Sequence, residues 1–191
     1  MLVVDTETGG LDPARHALVS IGAIHMESGA EFSMLIRPAD GLELEDQAVK
    51  VHGLSAEHLE QHGVDEEVAM VAFASWLRVF GPQDWMGANP DFDRGFIAAA
   101  FRRHRIMGDV PRRPVDVQAV AWLAWLAWRL GALALPCGRN GLVKRSLDAL
   151  LEAVGLSRGE SGVHDALEDA RLTLAVWDKL ERLIREIGGR K

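Results

Sequence analysis

The chain has 191 residues, 48% hydrophobic and 26% charged, the size and balance of one ordinary globular domain over residues 1–191, which excludes a fibrous or disordered chain. A single cysteine, Cys137, excludes an internal disulfide and a thiolate zinc site, and suits a reducing compartment. The formal charge of −7 argues against non-specific attraction to a polyanion, although a cluster of metal-binding carboxylates lowers a net charge without removing a local basic face.

The N-terminus enters a strand pattern directly, without the basic and apolar stretches of a leader. The longest apolar run, Ala119 to Trp128, is too short to span a bilayer and is closed by Arg129. The expectation is a soluble, cytoplasmic protein without a membrane partner.

In chain order, Leu2 to Thr6 reads as a first strand, and alternation places Asp5 and Glu7 side by side at its end. Two like charges held together repel and are costly to desolvate, and a divalent cation relieves both costs; the plain alternative is a strand running into a solvated polar loop. Gly9-Gly10 and Pro13 break the strand. Ala17 to Met26 and Glu31 to Ile36 read as two further strands, and the short connections favour an antiparallel meander ended by Arg37-Pro38. Ala39 to Gly53 is mixed in character.

Ser55 is a candidate N-cap, with His58 where a full capping box has Glu or Gln. Asp65 to Phe80 is an amphipathic helix with acids at its positive end, stopped by Gly81-Pro82. Asp84 to Ala88 reads as a strand, Asp91 to about Met107 as a helix entered at Pro90, and Val115 to Val117 as a fifth strand. Ala119 to Leu130 is apolar almost all round and fits either a buried helix or a homodimer or partner interface. Trp122, Trp125 and Trp128 within it mark core or interface rather than a platform for stacking nucleotides. Ser146 caps a helix through Val154, Ser157 to Gly162 is a connector, and Val163 to Ile187 is a long helix with Leu167, Ala170, Leu174, Trp177, Leu180, Ile184 and Ile187 as its inward stripe. Three strands followed by alternating strands and helices imply an α/β fold with a mixed five-stranded sheet flanked by helices.

Acids arrive at element ends in three distant segments: Asp5 and Glu7, Asp91 and Asp93, and Asp165, Glu168 and Asp169 beside His164. Oxygen ligands without a cysteine framework suit Mg²⁺ or Mn²⁺, and one or two such ions, about 3.5–4 Å apart when paired, serve phosphodiester displacement. An imidazole at His164 fits a general base. Spacing alone leaves the assignments open. Asp165 and Asp169 share a helical face, so either reaches a metal, whereas His164 and Asp169 do not share it unless the histidine stands at an irregular helix start. Asp91 and Asp165 also fit as helix N-terminal acids answering the dipole.

The segments Asp5-Thr6-Glu7-Thr8-Gly9-Gly10-Leu11, Asn89-Pro90-Asp91-Phe92-Asp93 and His164-Asp165-Ala166-Leu167-Glu168-Asp169-Ala170 resemble, in order, the three motifs of the DEDDh family, the DnaQ-like 3′-to-5′ exonucleases. Val51-His52-Gly53-Leu54-Ser55 resembles that family's His-Gly-Ile segment, so the resemblance spans the domain. It implies a ribonuclease H-like fold, with Asp5, Glu7, Asp93 and Asp169 holding two Mg²⁺ or Mn²⁺ ions and His164 deprotonating the attacking water. It also implies release of nucleoside 5′-monophosphates from single-stranded 3′ ends, with Thr6, Thr8, Gly9, Leu11, His52, Leu54, Asn89 and Phe92 binding the terminal nucleotide. Ala88-Asn89-Pro90 replaces the His-Asn-Ala of many relatives, which removes any substrate contact made by that histidine but no metal ligand.

Two other functions fit the same residues. One is a catalytically idle module on this fold that binds nucleic acid or docks to a polymerase, and the other is a metal-dependent hydrolase of small phosphate esters. Arg102, Arg103, Arg105, Arg112, Arg113, Arg139, Lys144 and Arg145 either guide a phosphate backbone or are solvated surface.

Overall fold

The computed structural model describes residues 1–120, 146–159 and 163–188. Strands β1 (Leu2–Thr8), β2 (Leu18–His25) and β3 (Ala30–Leu35) are followed by helices α1 (Asp46–His52), α2 (Ala56–His62) and α3 (Glu66–Phe80). Then come β4 (Trp85–Gly87), α4 (Pro90–Arg103), β5 (Val115–Asp116), α5 (Leu147–Ala153) and α6 (Ala166–Gly188). The five strands form one sheet in the order β3-β2-β1-β4-β5. The first three pair antiparallel, whereas β1 with β4 and β4 with β5 pair parallel, so the mixed sheet expected from the sequence is present.

The two faces of β1 bury against different helices. Leu2 and Val4, with Ile21 and Ala23, join a core built with Phe73, Leu77, Phe96 and Phe101 of α3 and α4. Val3 and Ile24 join another with Leu150, Ala170, Val176 and Leu180 of α5 and α6. Alternation carries the same split past the apolar residues: Thr6 faces with Val4 toward α4, and Asp5 and Glu7 face with Val3 toward α6. Each fully buried core side chain contributes about 1.5–3 kcal/mol by removal from water. The charged end of β1 is therefore fixed in place by the apolar start of the same strand.

Local chemistry sets the helix starts. Ser55 Oγ accepts from His58 N at 3.2 Å, Asp65 Oδ1 from Glu67 N at 2.9 Å, and Ser146 Oγ from Ala149 N at 3.2 Å, each satisfying a first-turn donor.

Several boundaries differ from expectation. The stretch read as mixed contains α1. Strand β1 runs on to Thr8, which places Glu7 inside the strand. Helix α4 stops at Arg103 rather than near Met107, because Arg105 takes φ 56° and Ile106 N turns back to Phe101 O at 2.9 Å, returning Ile106 to the core. Helix α6 starts at Ala166, since Asp165 Oδ1 accepts from Glu168 N at 2.9 Å and caps it. Of its expected inward stripe, Leu180 is buried and Ile184 is exposed, while the side chain of Ile187 lies outside the described residues. Trp122, Trp125, Trp128, Arg139, Lys144 and Arg145 lie outside the described residues.

Candidate active site

Four carboxylates from three elements meet at the C-terminal end of β1, the edge of a parallel pair where ligands of open α/β sheets gather. Asp5, Glu7, Asp93 and Asp169 line one cavity of 270 Å³ together with Thr6, Ala88, Asn89, Phe92, Gln118, Ser146, Leu147 and His164. Asp93 enters in the first turn of α4, where Thr6 Oγ1 donates to its Oδ1 at 2.7 Å. Asp169 enters in the first turn of α6. Glu7, Asp93 and Asp169 are buried, at 7%, 4% and 4% exposure.

Crowding and burial push protons onto this group. Desolvation, reinforced by Asp93, Glu7 and Asp169, raises Asp5 well above the ordinary carboxylate range. Glu7 rises from 4.5 to about 8, through burial first and Asp169 second, against an opposing pull from His164. Asp93 is also raised by burial, with the Thr6 hydroxyl opposing. His164 is raised by its hydrogen bond to Asp169, Nδ1 to Oδ2 at 2.9 Å.

The donor set fits a hard divalent cation. Glu7 Oε1 is buried without a hydrogen-bond partner among the described residues. Glu7, His164 and Asp169 each offer one ligand atom, all within 4.8 Å of one another. A cluster of like charges with an unpaired buried oxygen is costly without a cation and stable with one.

The fold separates the acids that spacing left equivalent. Asp91 is exposed and pairs with Arg94 at 2.9 Å, Glu168 pairs with Arg171, and Asp165 caps α6, whereas Asp93 and Asp169 point into the cavity.

A second cavity of 260 Å³ shares Thr6, Glu7 and Phe92 with the first. Its other walls are Thr8, Gly10, Leu11, Glu45, Gln47, Ala48, Val51 and His52. Leu11 is 82% exposed at its rim. His52 is buried, its Nδ1 accepting from Leu54 N at 3.0 Å, and burial lowers its pKa. Asn89 adopts a left-handed backbone (φ 64°) before α4, its N–H directed 3.3 Å to Asp116 Oδ1. Of the residues expected to bind the terminal nucleotide, Thr6, Thr8, Leu11, His52, Asn89 and Phe92 line these cavities. Leu54 packs instead with Leu59, Ala17 and Val19, and Gly9 is buried where a Cβ would meet the Glu43 carbonyl oxygen at 2.3 Å. Both support the walls rather than line them.

Among the basic candidates, Arg103 is spent on the buried Glu66 at 3.0 Å. Arg112 and Arg113 line a separate 840 Å³ cavity with Asp84, whose carbonyl accepts from Leu2 N at the opposite end of β1. Sequence reasoning missed the α1 wall and Arg158, whose Nη1 pairs with Asp169 Oδ1. Helix α1 is short and buries only His52, so it carries no periodic signal, and neither does a lone arginine in a Ser/Gly-rich connector.

With this geometry established, the relatives are informative. The family model RNase T, described as Exonuclease, matches residues 2–177. An Escherichia coli protein named 3′-5′ DNA exonuclease Cap18 is 30% identical over 188 residues, covering 94% of this chain and 90% of that protein. The PolC-type DNA polymerase III of Thermotoga maritima is 28% identical over 190 residues, covering 98% of this chain but 12% of the polymerase. The solved structure of E. coli exonuclease I in complex with a 5cy-dT13 oligonucleotide superimposes with a TM-score of 0.78 at 24% identity, over 97% of this chain and 42% of that one. Among the described residues no helix is long and apolar enough to cross a membrane. The chain belongs to the exonuclease family matched by this model, the DnaQ-like 3′-to-5′ exonucleases with a ribonuclease H-like fold.

Proposed function

We propose that this chain removes nucleotides from the 3′ end of DNA, with Asp5, Glu7, Asp93 and Asp169 holding two divalent cations, Mg²⁺ or Mn²⁺, and His164 as general base. The observation that carries the reading is the buried carboxylate cluster with Glu7 Oε1 left unpaired. Bound divalent cations supply Lewis-acid stabilisation of charge on the phosphoryl oxygens.

The chain's own residues do the rest. His164 directs Nδ1 to Asp169, which fixes the ring and leaves Nε2 to take the proton of the attacking water. That water's oxygen bonds to the terminal phosphorus, the bond to the 3′ oxygen breaks, and a nucleoside 5′-monophosphate leaves. Thr6 holds Asp93 in register with Asp5. The second cavity takes the terminal nucleotide, with Leu11, Val51 and Phe92 as apolar walls for the base and Thr8 and His52 deeper in the same pocket. The name of the E. coli relative supports DNA as the substrate.

The polymerase relatives support a DNA polymerase as a protein partner, and the single cysteine supports a cytoplasmic setting.

A panel of single-stranded DNA, duplex DNA and short RNA, each with Mg²⁺ or Mn²⁺, tests the proposal with Asp5→Ala as control. The expected result is stepwise shortening of DNA from its 3′ end, release of mononucleotides, and loss of both with EDTA or Asp5→Ala. Hydrolysis that survives EDTA and the substitution would sink it. Oligonucleotide binding with no release across several metals would instead identify an idle module.

A further inference from the structure

Asp169 has a basic partner on each carboxylate oxygen. Its Oδ2 meets His164 Nδ1 at 2.9 Å, and its Oδ1 is paired with Nη1 of Arg158. The arginine side chain is only 11% exposed, and its Nε is anchored 3.1 Å from Asp148 Oδ1 on α5. Its remaining nitrogen, Nη2, is buried without a hydrogen-bond partner among the described residues. Asp148 is largely exposed, so one end of this bridge faces solvent and the other the buried cluster.

We propose that Arg158 is a built-in counter-cation for Asp169 that opposes metal loading, with Asp148 as the carboxylate that holds the guanidinium when a divalent ion takes its place. This rests on the reading of Asp169 as a metal ligand. The physical reason is direct. In the metal-free protein a guanidinium beside Asp169 offsets part of the mutual repulsion of four crowded carboxylates. A divalent ion reaching the same oxygen meets a positive charge already in contact with it, and the two cations repel. A planar guanidinium spanning two carboxylates is held in one geometry, so moving it off Asp169 is favourable only if Asp148 keeps it. Arg158 is thus a positioning residue, acting through Asp169, that sets the metal concentration at which the site fills.

The test is equilibrium Mn²⁺ binding to the full chain at fixed pH, read by electron paramagnetic resonance of free Mn²⁺ without nucleic acid. Arg158→Gln is expected to bind Mn²⁺ roughly tenfold more tightly, the equivalent of one charge-assisted contact no longer opposing the ion. Asp148→Asn is expected to bind it about threefold more weakly, because the displaced guanidinium loses its second partner. The double variant is expected to behave like Arg158→Gln. If Arg158→Gln fails to fold, Asp148→Asn carries the test alone. Unchanged or weaker binding in Arg158→Gln, or unchanged or tighter binding in Asp148→Asn, overturns the proposal. Asp169→Asn separates the two readings: if it binds Mn²⁺ as the parent does, the ligand assignment falls and this proposal with it. If it binds poorly while Arg158→Gln is unchanged, only the role of Arg158 falls.

Discussion

His164 Nδ1 and Asp169 Oδ2 stand 2.9 Å apart although five residues separate them, a spacing that no continuous α-helix brings together. The chain achieves it by starting α6 at Ala166, after the Asp165 cap, so that His164 approaches from the non-helical segment before it. The same break directs the ring across the cavity toward Glu7, which lowers the cost of that carboxylate's charge.

His164→Gln is expected to lower kcat by about 10²–10⁴, the usual contribution of a positioned general base. The histidine itself is expected to titrate above 6.5 in the metal-free protein, because the hydrogen bond to Asp169 favours its charged form. Asp169→Asn removes the negative charge behind that bond and brings the imidazole back toward 6.5. Proton NMR titration of the ring checks both values, and an unshifted His164 would contradict the geometry.

Stability of the metal-free protein is expected to fall as pH rises between about 4.5 and about 8. The sign follows from Glu7: across this window the folded chain holds a proton that the unfolded chain has released, so raising the pH favours unfolding. Its contribution is present below 4.5 and lost as pH passes about 8. Each tenfold difference in proton affinity between the folded and unfolded chain is worth about 1.4 kcal/mol. His164, also raised, acts in the same direction. Thermal unfolding in EDTA from about pH 5.5 to about pH 8.5 is expected to show a declining Tm, and saturating Mn²⁺ to flatten it. Calorimetry of Mn²⁺ binding near neutral pH in two buffers of different ionisation enthalpy should show net proton release.

The sheet and the chemistry were readable from residues because both rest on short-range patterns. Alternation from Leu2 announces a strand, read to Thr6, that brings Asp5 and Glu7 to one face, and Ser55 and Ser146 announce helix starts by a local hydrogen bond that the fold retains. What stayed hidden depends on partners distant in the chain. Asp91 and Asp93 are equivalent by composition, so that only the motif resemblance points to Asp93, and nothing local announces the hydrogen bond it receives from Thr6 on another element. Arg158 in a Ser/Gly-rich segment gives no local sign of Asp148 and Asp169. Ile106 continues the helical pattern of α4 yet leaves it, because burial in the core outweighs another helical turn.

Thr6→Val keeps the shape of the side chain and removes the donor to Asp93. A hydrogen bond to a charged acceptor contributes about 1.5–3 kcal/mol, so Asp93 is expected to hold its proton more tightly still. The expected outcome is about tenfold weaker Mn²⁺ binding at about pH 7, recovering as the pH is raised toward about 8.5. Titrations at three pH values check this, and a deficit independent of pH would point to disrupted packing rather than to the lost donor.

Gly22→Ala is expected to disable the site without touching any carboxylate. Gly22 pairs directly with Asp5 across β1 and β2, so the two residues share a face of the sheet. A Cβ built on it would lie 2.2 Å from Leu167 N and 2.3 Å from the Ala166 carbonyl carbon. Those atoms belong to the backbone of the first turn of α6, which cannot rotate away as a side chain would. The bare glycine lets that turn approach the sheet and bring Asp169 alongside Asp5. One methyl group there forces α6 outward, at about 1–3 kcal/mol for overpacking and more if the helix undocks. Thermal unfolding is expected to show a Tm lower by several degrees, and Mn²⁺ binding to fall even at temperatures where the variant stays folded. Parent-like Mn²⁺ affinity in folded Gly22→Ala would show that the close approach of helix to strand does not set the position of Asp169.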